Sequence, residues 1–237
     1  MVIEILFSEV CGLYGDFQNP KYLEATLPDA KFIYTPLTDV PYFADNDVDM
    51  LYIGTMSEDI QRRVIRKMLP YRERLRELVD KDVPILATGN AGEIFMNHID
   101  YVTEELSADG LGFFDLNVKT DLFNRRNGKV IGDVEGITVV GFQSQFSSVY
   151  GDNSQNFFLK CERGMGINND SKLEGVRMRN LICTQLIGPI LPLNPLFTEY
   201  LVDLAGGSAT AAFKEAAMDA YNQRVKEFRD PGVSFND

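Results

Sequence analysis

Pro84-Ile85-Leu86-Ala87-Thr88-Gly89-Asn90-Ala91-Gly92-Glu93 decides the fold. Four apolar or small residues without alternation read as a strand buried on both faces, as in a parallel sheet. The small residues 89–92 then predict a tight turn, and the chain beyond them is expected to enter a helix. In α/β enzymes such a strand-turn-helix junction projects a nucleophile at the carboxyl end of the sheet. Residues 89–92 contain no thiol or hydroxyl, and any βα loop is free to be glycine-rich, so the junction alone assigns no chemistry.

Working outward, apolar runs at Val2–Phe7, Lys31–Tyr34 and Met50–Ile53 join residues 84–87 as strands alternating with helices. Apolar positions Ile60, Val64, Met68, Leu75 and Leu78 predict a long helix over 59–79, kinked or split at Pro70. Strands alternating with helices imply a parallel sheet covered on both faces. After Gly110 the pattern changes to short strands at 116–123, 129–134, 137–143, 157–160 and 180–186. Asn127-Gly128 is a type I′ hairpin signal, and Val134-Glu135-Gly136 marks a second tight turn. Helices are expected near 194–204 and 210–228. The fold class expected is α/β: a flavodoxin-like, mainly parallel mixed sheet flanked by helices, with residues 1–237 forming one domain.

Composition narrows the function classes. Hydrophobic residues make up 45% of the 237 and charged ones 24%, ordinary for a globular core. The net charge of -12 repels phosphate backbones and anionic lipid, which disfavours nucleic-acid and membrane-surface roles. The first residues read as a core strand rather than a leader, and no run approaches the roughly 20 apolar residues of a membrane span. Cys11, Cys161 and Cys183 are scattered and odd in number, which suits a reducing cytoplasm and not a disulfide framework. Without paired cysteines, and with His98 as the single histidine, no metal and no cofactor is expected.

Two further stretches matter at this level. Gly54-Thr55-Met56-Ser57 is a second strand-to-helix junction whose N–H groups suit an oxyanion hole, although Ser57 is equally a plain helix cap. Tyr14-Gly15-Asp16 and Gly164–Asn169 are turns by composition.

In order and spacing these pieces resemble class I glutamine amidotransferase domains of the CobB/CobQ-like group, nearest to the GatD-type glutaminase subunits that serve a Mur-ligase-like synthetase. The resemblance runs through Leu13-Tyr14-Gly15-Asp16 with Asn19, Gly54 with Gln61, Gly110-Leu111-Gly112-Phe113-Phe114-Asp115, and Gly141-Phe142. It continues through Gly164-Met165-Gly166 with Asn168-Asn169, Glu174-Gly175 and Gly188-Pro189-Ile190-Leu191-Pro192. It implies a nucleophile at position 89 and a general base at 187, where this chain has Gly89 and Ile187. Gly54, Thr55, Asn90, Glu93, Lys129 and Gln145 fall in what the resemblance makes the former substrate pocket. Tyr14, Gly15, Asp16, Asn19, Asn168 and Asn169 are the candidate interaction loops.

Without a thiolate and its base the covalent route is lost as a whole. The expectation is a non-catalytic binding or regulatory subunit of a Mur-ligase-like amide-forming complex, with a former active site partly filled and made more apolar by Ile187. Two alternatives stand beside it. One is an active glutaminase of the cobyric acid or lipid II amidation type that uses unusual residues, Cys11 being the only thiol to nominate. The other is a sensor of a small amide or amino acid.

Overall fold

The computed structural model describes residues 1–235. In chain order β1 is Val2–Leu6, α1 Gln18–Thr26, β2 Lys31–Thr35, β3 Met50–Ile53, α2 Glu58–Met68, α3 Arg72–Asp80 and β4 Ile85–Thr88. The strands β5 Met96–Tyr101, β6 Leu106–Asp109, β7 Phe114–Thr120, β8 Arg126–Val134, β9 Ile137–Gln145 and β10 Ser147–Tyr150 follow. Then come β11 Leu159–Arg163, β12 Leu173–Glu174, β13 Val176–Met178 and β14 Leu181–Thr184, closed by α4 Ile190–Leu193, α5 Pro195–Leu204 and α6 Lys214–Arg229.

The central sheet has the order β13-β14-β4-β3-β1-β2, all neighbours parallel except β13 against β14. Its parallel part, read β2-β1-β3-β4-β14, is the flavodoxin-like order, with the direction of winding reversing between β1 and β3. Alternation along each strand sorts the core into two. Leu6, Leu51, Ile53, Ile85, Ala87, Leu181 and Cys183 face α2, α3 and the β10-β7-β5-β6 sheet. Ile3, Ile5, Met50, Tyr52, Leu86 and Ile182 face α1, α4, α5 and the β12-β11-β8-β9 sheet. Helix α6 covers the outer side of β8 and β9 through Tyr221 and Phe228.

Pro70 splits the long helix as expected, with a short 3₁₀ turn over Leu69–Tyr71 between α2 and α3. Two readings need correction. Asn127-Gly128 is not a hairpin turn: both residues lie inside β8, opposite Ser144 and Gln143 of β9. The hairpin closes instead at Glu135-Gly136, where both residues have positive φ, 51° and 86°, as a type I′ turn requires. Nine paired residues with one face on the core outweigh a local turn preference. The segment after Gly89 is also no α-helix. Residues Gly89–Phe95 form a 3₁₀ stretch, fully buried, that runs straight into β5. Gly, Asn and Gly in one turn are poor α-helix formers, and Gly92 lies so close to Cys183 that a Cβ there would sit 3.0 Å from the cysteine Cβ.

Candidate functional site

The site gathers at the carboxyl ends of β1, β3 and β4, and its floor is Asp16. This carboxylate is wholly buried. Its Oδ2 accepts from the Thr55 hydroxyl (2.5 Å), the Thr55 N–H (3.0 Å) and the Thr88 hydroxyl (2.6 Å). Burial pushes its pKa up, and the donors from Thr55, Thr88 and Asn19 pull against that. Asn19 Nδ2 donates to the Tyr52 hydroxyl at 2.9 Å, and Asn19 Oδ1 accepts from Leu191 N–H at 2.9 Å, which ties the network to α4.

Gly89 follows β4 with φ +58°, a left-handed conformation that glycine adopts without penalty. A Cβ built there would lie 2.2 Å from Thr55 Oγ1 and 2.8 Å from Thr55 Cγ2. Because Asp16 holds Thr55 by both its N–H and its hydroxyl, that side chain has no free rotation away. The space a side chain at 89 needs is occupied.

The N–H groups of the β3–α2 loop are occupied too. Thr55 N–H goes to Asp16, and Met56 N–H donates to Asn90 Oδ1 at 3.0 Å while Asn90 Nδ2 donates to Met56 O at 2.8 Å. Ser57 accepts from Ile60 N–H and caps α2, its plain reading. Gln61 Nε2 donates to Asn90 O (2.7 Å) and Glu93 Oε2 (2.8 Å), and its Oε1 accepts from the Tyr101 hydroxyl (2.8 Å). The Ser147 hydroxyl donates to the other oxygen of Glu93. Burial drives the Glu93 pKa up to about 7, against the Ser147 and Gln61 hydrogen bonds that lower it.

Above this floor lies a cleft of about 70 Å³ whose wall includes Gly89, Asn90, Glu93, Gln145, Gln185 and Ile187. At roughly 10–15 Å³ per water it holds a handful of water-sized groups. Gly89 and Ile187 thus share one cleft. Ile187 is held by its backbone, its N–H donating to Phe142 O at 2.8 Å. The wall is mixed, with Leu13, Met56, Phe146 and Ile187 supplying its apolar part. Gln145 and Gln185, 7% and 5% exposed, bring amide N and O atoms that have no hydrogen-bond partner among the described residues, as does Thr120 Oγ1. Thr55 and Asn90 take up space beside that apolar part.

Of the expected pocket residues, Thr55, Asn90, Glu93 and Gln145 line the cleft and two do not. Gly54 packs its backbone against Cys11, where a Cβ would meet Cys11 O at 2.6 Å. Lys129 lies on β8 and reaches Ser234 O at 2.8 Å. Among the expected interaction residues, Asp16 and Asn19 are fully buried and structural. Gly15 supplies a left-handed turn, and Asn168 ties its loop to Val149 O. Tyr14 and Asn169 do reach the surface. His98 sits on β5 between Asp109 and Asp100, at 2.8 and 3.2 Å, away from the cleft. Cys11 is buried with Met56 Sδ 3.9 Å from its Sγ, and burial raises its pKa, so no base activates it. Gln185, Thr120, Ser147 and Gln61 are the wall and floor residues that sequence reasoning missed as such. A larger concavity, about 730 Å³, lies across β8 and β11 and holds none of the expected residues.

No family model matches the sequence. The solved structures that resemble it share its fold. One, titled a glutamine amidotransferase, aligns at TM-score 0.58 with 18% identity over 87% of this chain and all of that one. PurLQS from Thermotoga maritima aligns at 0.52 with 9% identity over 94% and 98% of the two chains. A glutamine amidotransferase from the same organism aligns at 0.50 with 8% identity over 98% and 86%. The chain therefore has the glutamine amidotransferase fold. In sequence it is similar to subunit GatD of the lipid II isoglutaminyl synthase (glutamine-hydrolyzing) of Staphylococcus aureus (strain N315), 27% identical over 209 residues, 86% of this chain and 84% of the relative. In fold it resembles glutamine amidotransferases, and in sequence it resembles GatD.

Two outcomes follow from this geometry. Gly89→Cys forces a side chain onto left-handed backbone and against Thr55, and should cost roughly 2–5 kcal/mol. Thermal unfolding checks it: Gly89→Cys should lower Tm less in a Thr55→Gly background than in the parent, and no loss in the single variant would contradict the close approach. The second concerns pH. An unfolded glutamate releases its proton near 4.5, whereas folded Glu93 holds its own until about 7. Between those values the folded state binds more protons, so this group's contribution falls as pH rises and levels off above about 7. Urea denaturation from pH 4.5 to 8 should show Glu93→Gln declining less than the parent, by up to roughly 3 kcal/mol; superimposable declines would contradict it.

Proposed function

We propose that residues 1–237 form one GatD-like domain that does not hydrolyse glutamine and serves as a binding or regulatory subunit of a Mur-ligase-like, amide-forming synthetase. In this reading Gly89 stands at the nucleophile position and Ile187 at that of the base. The observation that carries it is Thr55: its hydroxyl, fixed by Asp16, fills the space a nucleophile's Cβ would need at Gly89. The Asn90–Met56 pairing supports it, because Met56 N–H is spent on a side chain instead of an oxyanion. A partner synthetase is inferred from the relative, which is by name a subunit of a synthase. An enzyme working through Cys11 is disfavoured by that thiol's burial and raised pKa.

A second reading, a sensor of a small amide, is favoured by the unpartnered amide groups of Gln145 and Gln185 in the cleft. Such groups cost about 1–3 kcal/mol each when left unsatisfied, so a hydrogen-bonding ligand is rewarded there.

Glutamate release from L-glutamine, measured on the protein alone and with the Mur-ligase-like protein of its source, tests the main reading. The expected result is none for the parent. Little is expected for Gly89→Cys/Ile187→His, since Thr55 and Asn90 still block the site. Robust turnover by the parent would overturn it. The two proteins should co-purify. A lone species whose melting temperature rises with L-glutamine would favour the sensor.

A further inference from the structure

Arg125, Arg126 and Lys172 line an open groove of about 330 Å³, together with Asn127, Met165 and Asn169. No carboxylate among the described residues lines it, although the chain carries a net charge of -12. None of the three cations is in a salt bridge among the described residues. Neutral partners hold them instead. The Arg125 guanidinium lies 5.4 Å from the centre of the Tyr14 ring and 5.2 Å from that of Phe146, and it donates to the Tyr14 hydroxyl. Arg126 donates to Asn169 Oδ1 and Ser147 O, both at 3.0 Å. Lys172 Nζ donates to Gly164 O at 2.7 Å. Asp121, the nearest acid before the arginines, is engaged with Phe123 N–H and Asn124 Nδ2 of its own turn. Arg126 is partly buried and its charge also acts on Glu93, whereas Arg125 and Lys172 are positioned without a salt bridge among the described residues.

The surroundings indicate what supplies the counter-charge. Phe123, two residues before Arg125, is 85% exposed, and Leu13, Tyr14 and Phe17 are exposed in the loop that Arg125 contacts. Aromatic side chains and arginine together mark protein-binding surfaces, and a free anion would have no use for the aromatics. Its arginines also reach the two loops that stand out in the sequence, Arg125 through Tyr14 and Arg126 through Asn169. We propose that this face docks an acidic segment of a protein partner, its carboxylates on Arg125 and Lys172 and its apolar side chains on Tyr14 and Phe123. The inference rests on the subunit reading above and specifies the partner's chemistry.

The test uses a fluorescein-labelled peptide of Asp and Glu with one Leu and one Phe, titrated into the full-length protein. The acidic remainder of the surface repels such a peptide, so salt-sensitive attachment has to be local. The parent should bind, with affinity falling about ten-fold in Arg125→Glu/Lys172→Glu and several-fold in Phe123→Ala. Raising NaCl on the unmodified protein from about 50 to 300 mM should weaken binding as well, a readout that needs no variant to fold. Millimolar inorganic phosphate should leave the peptide bound. No binding, unchanged affinity in the charge-reversed variant, or full displacement by phosphate would each overturn the proposal. Co-purification with the synthetase separates the two readings. A complex that forms equally well with Arg125→Glu/Lys172→Glu removes the groove and keeps the subunit, and peptide binding without any complex does the reverse.

Discussion

Asp16 is the constraint on which the site depends. A buried carboxylate loses several kcal/mol of hydration unless donors surround it, and the donors here come from separate segments. Thr55 follows β3, Thr88 ends β4, and Asn19 opens α1 and reaches α4 through Leu191. The sheet reverses its winding between β1 and β3, and the crevice beyond such a reversal is where open α/β sheets hold their ligands. Here the Asp16–Thr55 contact occupies that crevice. The same hydrogen bonds that satisfy the carboxylate place the threonine against Gly89, so filling the site and stabilising its floor are one arrangement.

The wall of the cleft is set from behind by two buried glutamates. Glu93 is gripped by Gln61 and Ser147. Glu174, likewise wholly buried with its pKa raised by burial to about 7, accepts from Gln185 N–H at 2.7 Å and from the Thr184 hydroxyl. Gln185 therefore presents its side chain to the cleft from a backbone that Glu174 anchors. The wall is part apolar, through Ile187, Met56, Leu13 and Phe146, and part polar, with the Gln145 and Gln185 amide groups unmatched among the described residues.

The sheet was legible for a physical reason. Strands buried on both faces read as unbroken apolar runs, and 50–53 and 84–87 match β3 and β4 to within a residue. By contrast β5, with Asn97, His98 and Asp100 on one strand, lacks that signature and is not legible as a strand. Asn127-Gly128 carried a turn signal that long-range pairing overrode. In the site, Gly89 and Ile187 were placed together by resemblance and do share a cleft. Asp16 was read as a loop residue because composition does not distinguish a carboxylate in a solvated turn from one under a sheet edge. Gln185 and Thr120 were missed because only the tertiary fold brings β7 and the end of β14 to Gly89.

Amide hydrogen exchange at Thr55 and Met56 tests the central claim most directly. Both N–H groups lie in a loop and would exchange within seconds if they were presented to solvent or to a ligand. With Thr55 N–H bonded to Asp16 and Met56 N–H to Asn90, the account predicts slow exchange at both, unaltered by saturating L-glutamine. Rapid exchange at Met56, or protection that appears only with glutamine, would show an open oxyanion site and contradict it.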